Sequence, residues 1–334
     1  MRLLALVLFL MSTAGNWSTH TLTLPGGTAA GIAMDYVAFD PATNSVWVPA
    51  GITGAVDVID AKSGRIRRVT GFATKEVVMR DRKRTLGPSA VAFGGGSAFI
   101  GNRGDSSICV VSPKTLARGR CQVLPSMPDG IAYVAETKEV WVTTPRDNAI
   151  RILDAATLAI KTTLTFDGNP EGFAVDALRH RFYTNIEDKD RTLAIDLKSR
   201  KTVATWNPGC GEDGPHGIRL DEPRGRLLLA CSAKLEVLDV GGNGAVLSSI
   251  DTGDGVDDID YAPTSQLAYA GAAKAAKLTV ARLDDIGHLT VVATVPTAAG
   301  ARNAAVTRDG VVYLPHGGGV TSNDLVVATP PAAH

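Results

Sequence analysis

Short apolar runs alternate with polar turns along the chain, at a spacing too tight for long helices and regular enough to form a repeat. The stretches "DYVAFDPATNSVWVPA" from Asp35, "DGIAYVAETKEVWVTT" from Asp129, "EGFAVDALRHRFYTNI" from Glu171 and "HGIRLDEPRGRLLLAC" from His216 share one order of residues. A polar residue is followed by an alternating strand, a polar turn and a second apolar strand. Weaker copies begin at Ser89, Asp257 and Arg302, so the starts lie 54, 40, 42, 45, 41 and 45 residues apart. A second apolar pair fills each interval, as in "NAIRILDAAT" followed by "AIKTTLTFDG", and each unit therefore reads as four antiparallel strands. Four strands at this period describe a β-propeller blade, and seven copies fit a closed ring. The predicted fold is an all-β, seven-bladed β-propeller occupying residues 16–334 as a single domain.

The ends of the chain predict how the ring closes. Only "DLVVATPP" follows the last strand pair, one strand short of a blade, whereas "THTLTLPGG" at 19–27 is a strand without a partner in its own neighbourhood. Pairing the N-terminal strand into the last blade completes it and removes an exposed edge.

Composition bounds the partners. Lys+Arg and Asp+Glu balance at 34 each, so no global field draws the protein to nucleic acid or to an anionic membrane. Arg2, the apolar run Leu3–Met11 and the small residues Ser12, Thr13 and Ala14 read as a cleaved secretory signal over residues 1–15. No later run has the length of a membrane helix. The expected location is periplasmic or secreted, and the expected state a monomer. Four cysteines in an exported chain point to disulfides, and proximity favours Cys109 with Cys121 and Cys210 with Cys231, although sequence alone leaves three pairings open.

In a propeller the first strand of each blade lines the central channel, so Asp35, Ser89, Asp129, Glu171, His216, Asp257 and Arg302 are expected as neighbours around one mouth. The second strands end at the same mouth, which brings Asn102, Thr144, Asn185, Cys231 and His316 close, together with the loop acids Glu187, Asp188, Glu212 and Asp213. Crowded carboxylates repel one another unless something positive compensates. Asp129, Glu171, His216 and Asp257 are the candidate metal ligands, while Asp35, Asp129, Asn185, Arg302 and His316 are candidates for contacting a small ligand. Oxygen donors suit calcium or magnesium, and histidine shifts the preference toward zinc or copper. Arg302 opposes this reading if it pairs with Glu171 or Asp257 and leaves the ring self-satisfied. His180 and His288 lie in turn-like segments and are expected in solvent.

The strand ends "AFIGN" and "VVYLP", with "VVSPKTLARG", "ILDAATLAIKTTL", "NIEDKD", "GDGVDD" and "VPTAAGAR", resemble the YVTN-repeat, YncE-like propellers of bacterial envelopes and surfaces. The resemblance covers almost the whole expected mature chain. It implies an exported seven-bladed propeller with a binding role, including binding of single-stranded DNA, and it implies little chemistry.

Three functions follow as expectations. The first is binding of a small ligand or divalent metal at the axial mouth. The second is a metal-dependent lactone hydrolase or lyase, with His216 or Glu171 as general base or acid and Arg302 holding a substrate anion. No G-x-S-x-G elbow, P-loop or H-E-x-x-H supports another enzyme class. The third is polyanion or single-stranded nucleic acid binding through "RIRRVTGFATKEVVMRDRKRT", where Arg65, Arg67, Arg68, Lys75, Arg80, Arg82, Lys83 and Arg84 accompany the long first interval. Only Phe72 in that run could stack on a base.

Overall fold

The alternation seen in the sequence becomes seven four-stranded antiparallel sheets in a computed structural model that describes residues 17–79, 82–317 and 321–332. The expected leader at residues 1–15 lies outside the described residues. Blade 4 shows the pattern: Pro170–Asp176 lies innermost, then Arg181–Ile186, Arg191–Asp196 and Thr202–Trp206 outward. Among the described residues helix is confined to single 3-10 turns, Gly51–Thr53, Pro145–Asp147 and Glu187–Lys189.

Burial follows position in the blade. The second strand of blade 1, Ser45–Ala50, is wholly buried, whereas the outermost strand of blade 2, Arg118–Val123, is almost wholly exposed. Valine, isoleucine and aromatic residues suit the inner strands because branched and planar side chains pack well on a pleated surface. The core is divided among the blade interfaces. Trp47, Val56 and Val58 of blade 1 pack on Val91 and Ile100 of blade 2, and Trp141 of blade 3 stacks on Phe182 of blade 4 with ring centroids 4.6 Å apart. Every blade thus depends on both neighbours, and the ring must close to bury the last interface.

Closure occurs as the orphan strand predicts. Ser18–Thr23 runs antiparallel to Asp324–Thr329 as the outer strand of blade 7, with His20 opposite Val327, and Leu24 is buried against Ile32, Leu325 and Val327. The cysteines pair as proximity favours, Cys109 with Cys121 across two strands of blade 2 and Cys210 with Cys231 between a loop and blade 5. Disulfides of this kind belong to proteins outside the reducing cytoplasm. No helix among the described residues is long and apolar enough to cross a membrane.

The long first interval has a specific cause. Ile66–Val69 is the outer strand of blade 1, and Lys75–Met79 pairs with Arg82–Leu86 in an extra hairpin outside the seven sheets. Its basic residues are not a continuous stripe: Arg68 is bound to Asp57 at 2.6 Å, and Phe72 is buried beneath the Arg118 guanidinium at 5.4 Å. Phe72 therefore offers no free face to a base. Arg80 and the side chain of Arg82 lie outside the described residues.

Candidate functional site

The polar residues that begin the inner strands do gather at one mouth, and they divide into two sectors. In the first, five residues from five blades alternate in charge. Asp129 pairs with Arg103; Arg103 lies 2.8 Å from Asp35; Asp35 lies 3.4 Å from Arg302; and Arg302 lies 2.9 Å from Asp257. Below this arc Arg219 clamps Asp258 at 3.0 Å and Asp260 at 3.1 Å, and burial lifts the Asp258 carboxyl to about 6. Each guanidinium bridges carboxylates that would otherwise repel, which leaves the arc internally neutralised to a large extent.

In the second sector, between blades 4 and 5, no ion pair joins the acids to an arginine among the described residues. Glu171 starts the inner strand of blade 4, Glu187 opens the turn after its second strand, and His216 starts the inner strand of blade 5. One ligating atom from each lies within 4.8 Å of the other two. Burial pushes Glu171 well above the usual carboxylate range, reinforced by the charge of Asp257 and by its hydrogen bond with Glu187. Burial acts the same way on Glu187, but its interactions with His216 and Glu171 outweigh it and hold this carboxyl low. Of the two carboxyls, Glu171 is therefore the one that holds a proton more tightly.

His216 is held from both ends. Burial disfavours its charged form, yet Glu187 and the charge of Asp257 raise its pKa overall. Nε2 lies 3.1 Å from Ser232 Oγ, and Nδ1 lies 3.3 Å from Glu187 Oε1. Nδ1 is buried, and no neighbouring atom completes a hydrogen bond of good geometry with it. That unfilled valence faces the two carboxyls.

Local backbone chemistry aims these groups. Register shifts between Glu171 and Phe173 and between Pro215 and Ile218 mark β-bulges that turn the first side chains out of the regular alternation. Two glycines permit the close approach of blade 4 to blade 5. Gly172 has φ +61°, and a Cβ there would stand 2.0 Å from the His216 carbonyl oxygen; at Gly214, φ +66°, a Cβ would stand 1.8 Å from that of Glu187. Gly172→Ala is therefore expected to cost roughly 2–4 kcal/mol, from left-handed strain and displacement of His216. Chemical denaturation of the variant beside the parent checks this.

The remaining sequence candidates have other partners. Asn185 donates to the His216 carbonyl at 2.5 Å and accepts from Thr192 at 2.7 Å, so it positions the histidine from behind. His316 is buried, with Nδ1 2.7 Å from the Asp324 carbonyl oxygen. Arg103 carries half of the neutralised arc and was not anticipated from the sequence. It occupies the same repeat position as Glu187 and Ser232, the residue just after the second strand. This shared place is the signal that would have found it.

Similarity to known proteins agrees with the fold. No protein-family model matches the chain. The chain is 25% identical over 276 residues to an uncharacterized protein YncE of Salmonella typhi, covering 80% of this chain and 64% of that one. The seven-bladed fold and this similarity fit a YncE-like propeller. The chain spans less than two thirds of the length of that relative. Among solved structures, a chain of a mitotic checkpoint complex superposes with a TM-score of 0.74 at 13% identity, covering 99% of each chain. A chain of Kuenenia stuttgartiensis hydrazine synthase does so with 0.71 at 14% identity, covering 93% of this chain and 99% of that chain. At these identities the likeness concerns the fold alone.

Proposed function

We propose that this propeller binds a divalent transition metal at its axial mouth through Glu171, Glu187 and His216. The observation that carries the reading is the convergence of three ligating atoms within 4.8 Å, among acids that form no direct ion pair with an arginine of the described residues. A cation would take the place of the Glu171 proton and satisfy the buried Nδ1 of His216. Two carboxylates and one imidazole suit zinc or copper better than calcium or magnesium, which favour sets of six or more oxygens. Three protein ligands also leave a coordination position for a small ligand. Asp129 and Asp257, candidates on sequence grounds, face Arg103 and Arg302, and Asp257 acts on the site through its charge.

Binding without turnover is favoured over a lactone hydrolase or lyase. In the enzymatic reading His216 or Glu171 is the proton-transfer group, and both are metal ligands here. Arg302, its proposed anion clamp, is bound to Asp35 and Asp257.

Zinc titration across pH tests the proposal. The metal must displace protons from Glu171 and His216, both of which hold them more tightly than usual. Affinity is therefore expected to rise about tenfold per pH unit for each proton displaced, while that group remains protonated in the free protein. Calorimetry in buffers of different ionisation enthalpy should register the released protons. Affinity independent of pH, or no binding, contradicts the proposal. The metal-free protein should show the converse trend in stability. Contributions from the raised Glu171 and His216 are present at low pH and fade as pH rises through their folded values; that from the lowered Glu187 fades as pH falls through its own.

A further inference from the structure

We propose that Cys210, Cys231 and Glu236 form a second metal site, closed while the disulfide is intact and opened to a thiophilic divalent cation by reduction. The two sulfurs and one carboxylate oxygen of Glu236 lie within 4.8 Å of one another. Among the described residues, this group and the mouth cluster are the places where three such side chains converge so closely.

Glu236 supplies the independent observation. It sits on the third strand of blade 5, where its side chain is only 4% exposed. Oε1 is held by Lys234 Nζ at 2.9 Å and Ser249 Oγ at 3.3 Å, whereas Oε2 is buried with no hydrogen-bond partner. A buried carboxylate oxygen without a donor is costly, and a bound cation would supply the missing partner.

The protein can present the two thiols together once the bond is broken. Cys210 and Cys231 have Cα atoms 5.2 Å apart. Two sulfurs on one tetrahedral zinc stand about 3.8 Å apart, given zinc–sulfur bonds of about 2.3 Å, which side-chain rotation from that spacing can reach. The loop bearing Cys210 does not depend on the disulfide alone for its place. Asp190 accepts from the backbone N–H groups of Cys210 at 3.0 Å and Gly211 at 3.1 Å, and Lys234 donates to the Gly209 carbonyl at 2.9 Å.

Access favours one direction of attack, since Cys210 is partly exposed and Cys231 is buried. A thiolate of a dithiol reductant attacks Cys210 Sγ, and Cys231 leaves as a thiolate that takes up a proton. The reductant's second thiol then displaces Cys210, which is also protonated. Two electrons and two protons have passed to the protein, and the reductant has become a cyclic disulfide. The cation binds both sulfurs with release of two protons, and Glu236 adds the oxygen ligand.

The test uses the full chain carrying His216→Ala, which disables the mouth site, with cadmium as the probe. After reduction and removal of the reductant, about one equivalent of cadmium should bind with a sulfur-to-metal charge-transfer band in the ultraviolet. The oxidised protein should show neither. Glu236→Gln should weaken binding at least about tenfold. The Cys109→Ser/Cys121→Ser double variant should retain it, which assigns the thiolates to the Cys210–Cys231 pair. Equal binding by the oxidised protein, no charge-transfer band, no effect of Glu236→Gln, or loss of the folded circular dichroism spectrum on reduction would each overturn the proposal. None of these outcomes bears on Glu171, Glu187 and His216.

Discussion

Glu187→Gln and His216→Ala are each expected to weaken zinc binding at least about a hundredfold, the larger loss falling to His216→Ala. Each removes one of three protein ligands, a greater perturbation than removing an outer partner, which alone costs about 10–100-fold. Glutamine keeps the size of Glu187 and its capacity to accept a hydrogen bond, so Glu187→Gln isolates the charge. Asp129→Asn and Asp257→Asn should change affinity by less than about tenfold, because those carboxylates face Arg103 and Arg302. Isothermal titration of the five proteins separates the cases. If Asp257→Asn matches His216→Ala while Glu187→Gln binds normally, the ligand set is wrong.

Removing residues 17–24 should abolish the folded monomer. Leu24 is fully buried and Leu22 packs against the same cluster, and burying such side chains contributes about 1.5–3 kcal/mol each. The strand also pairs over six residues with Asp324–Thr329, where each net hydrogen bond contributes about 0.5–1.5 kcal/mol. Together these approach the whole stability of an ordinary domain, about 5–15 kcal/mol. Deletion also leaves the apolar Leu325–Ala328 strand as an open edge, which favours association. Size-exclusion chromatography and urea unfolding should show aggregated or unfolded protein. A truncated chain that stays monomeric with an unchanged midpoint would contradict closure by this strand.

The architecture was legible because it rests on local rules. Period-two alternation, turn residues and a 40–45-residue repeat are written in the order of residues, and an unpaired strand at one end matched a missing strand at the other. The mouth was legible only in outline. Its first ring follows from the starts of the inner strands, but the pairing within it depends on which side chains cross between blades. Asn102 and Asn185 spend their side chains on hydrogen bonds behind the mouth, whereas Arg103, one position after Asn102, and Glu187, two after Asn185 and already expected at the mouth, meet its polar residues. Pairing with Arg103 and Arg302 moves Asp129 and Asp257 from expected ligands to partners of arginine. In the basic first-blade segment a run of charge says nothing of the acids that fold against it: Asp57 neutralises Arg68 from another strand.

Crystals of the protein grown or soaked with zinc, measured on both sides of the zinc absorption edge, test the central claim most directly. The account predicts one anomalous peak at the axial mouth, within bonding distance of Glu171, Glu187 and His216, that disappears in His216→Ala. A mouth without anomalous signal at saturating zinc, or a peak held by Asp129 or Asp257 with Glu187 and His216 uninvolved, would contradict it.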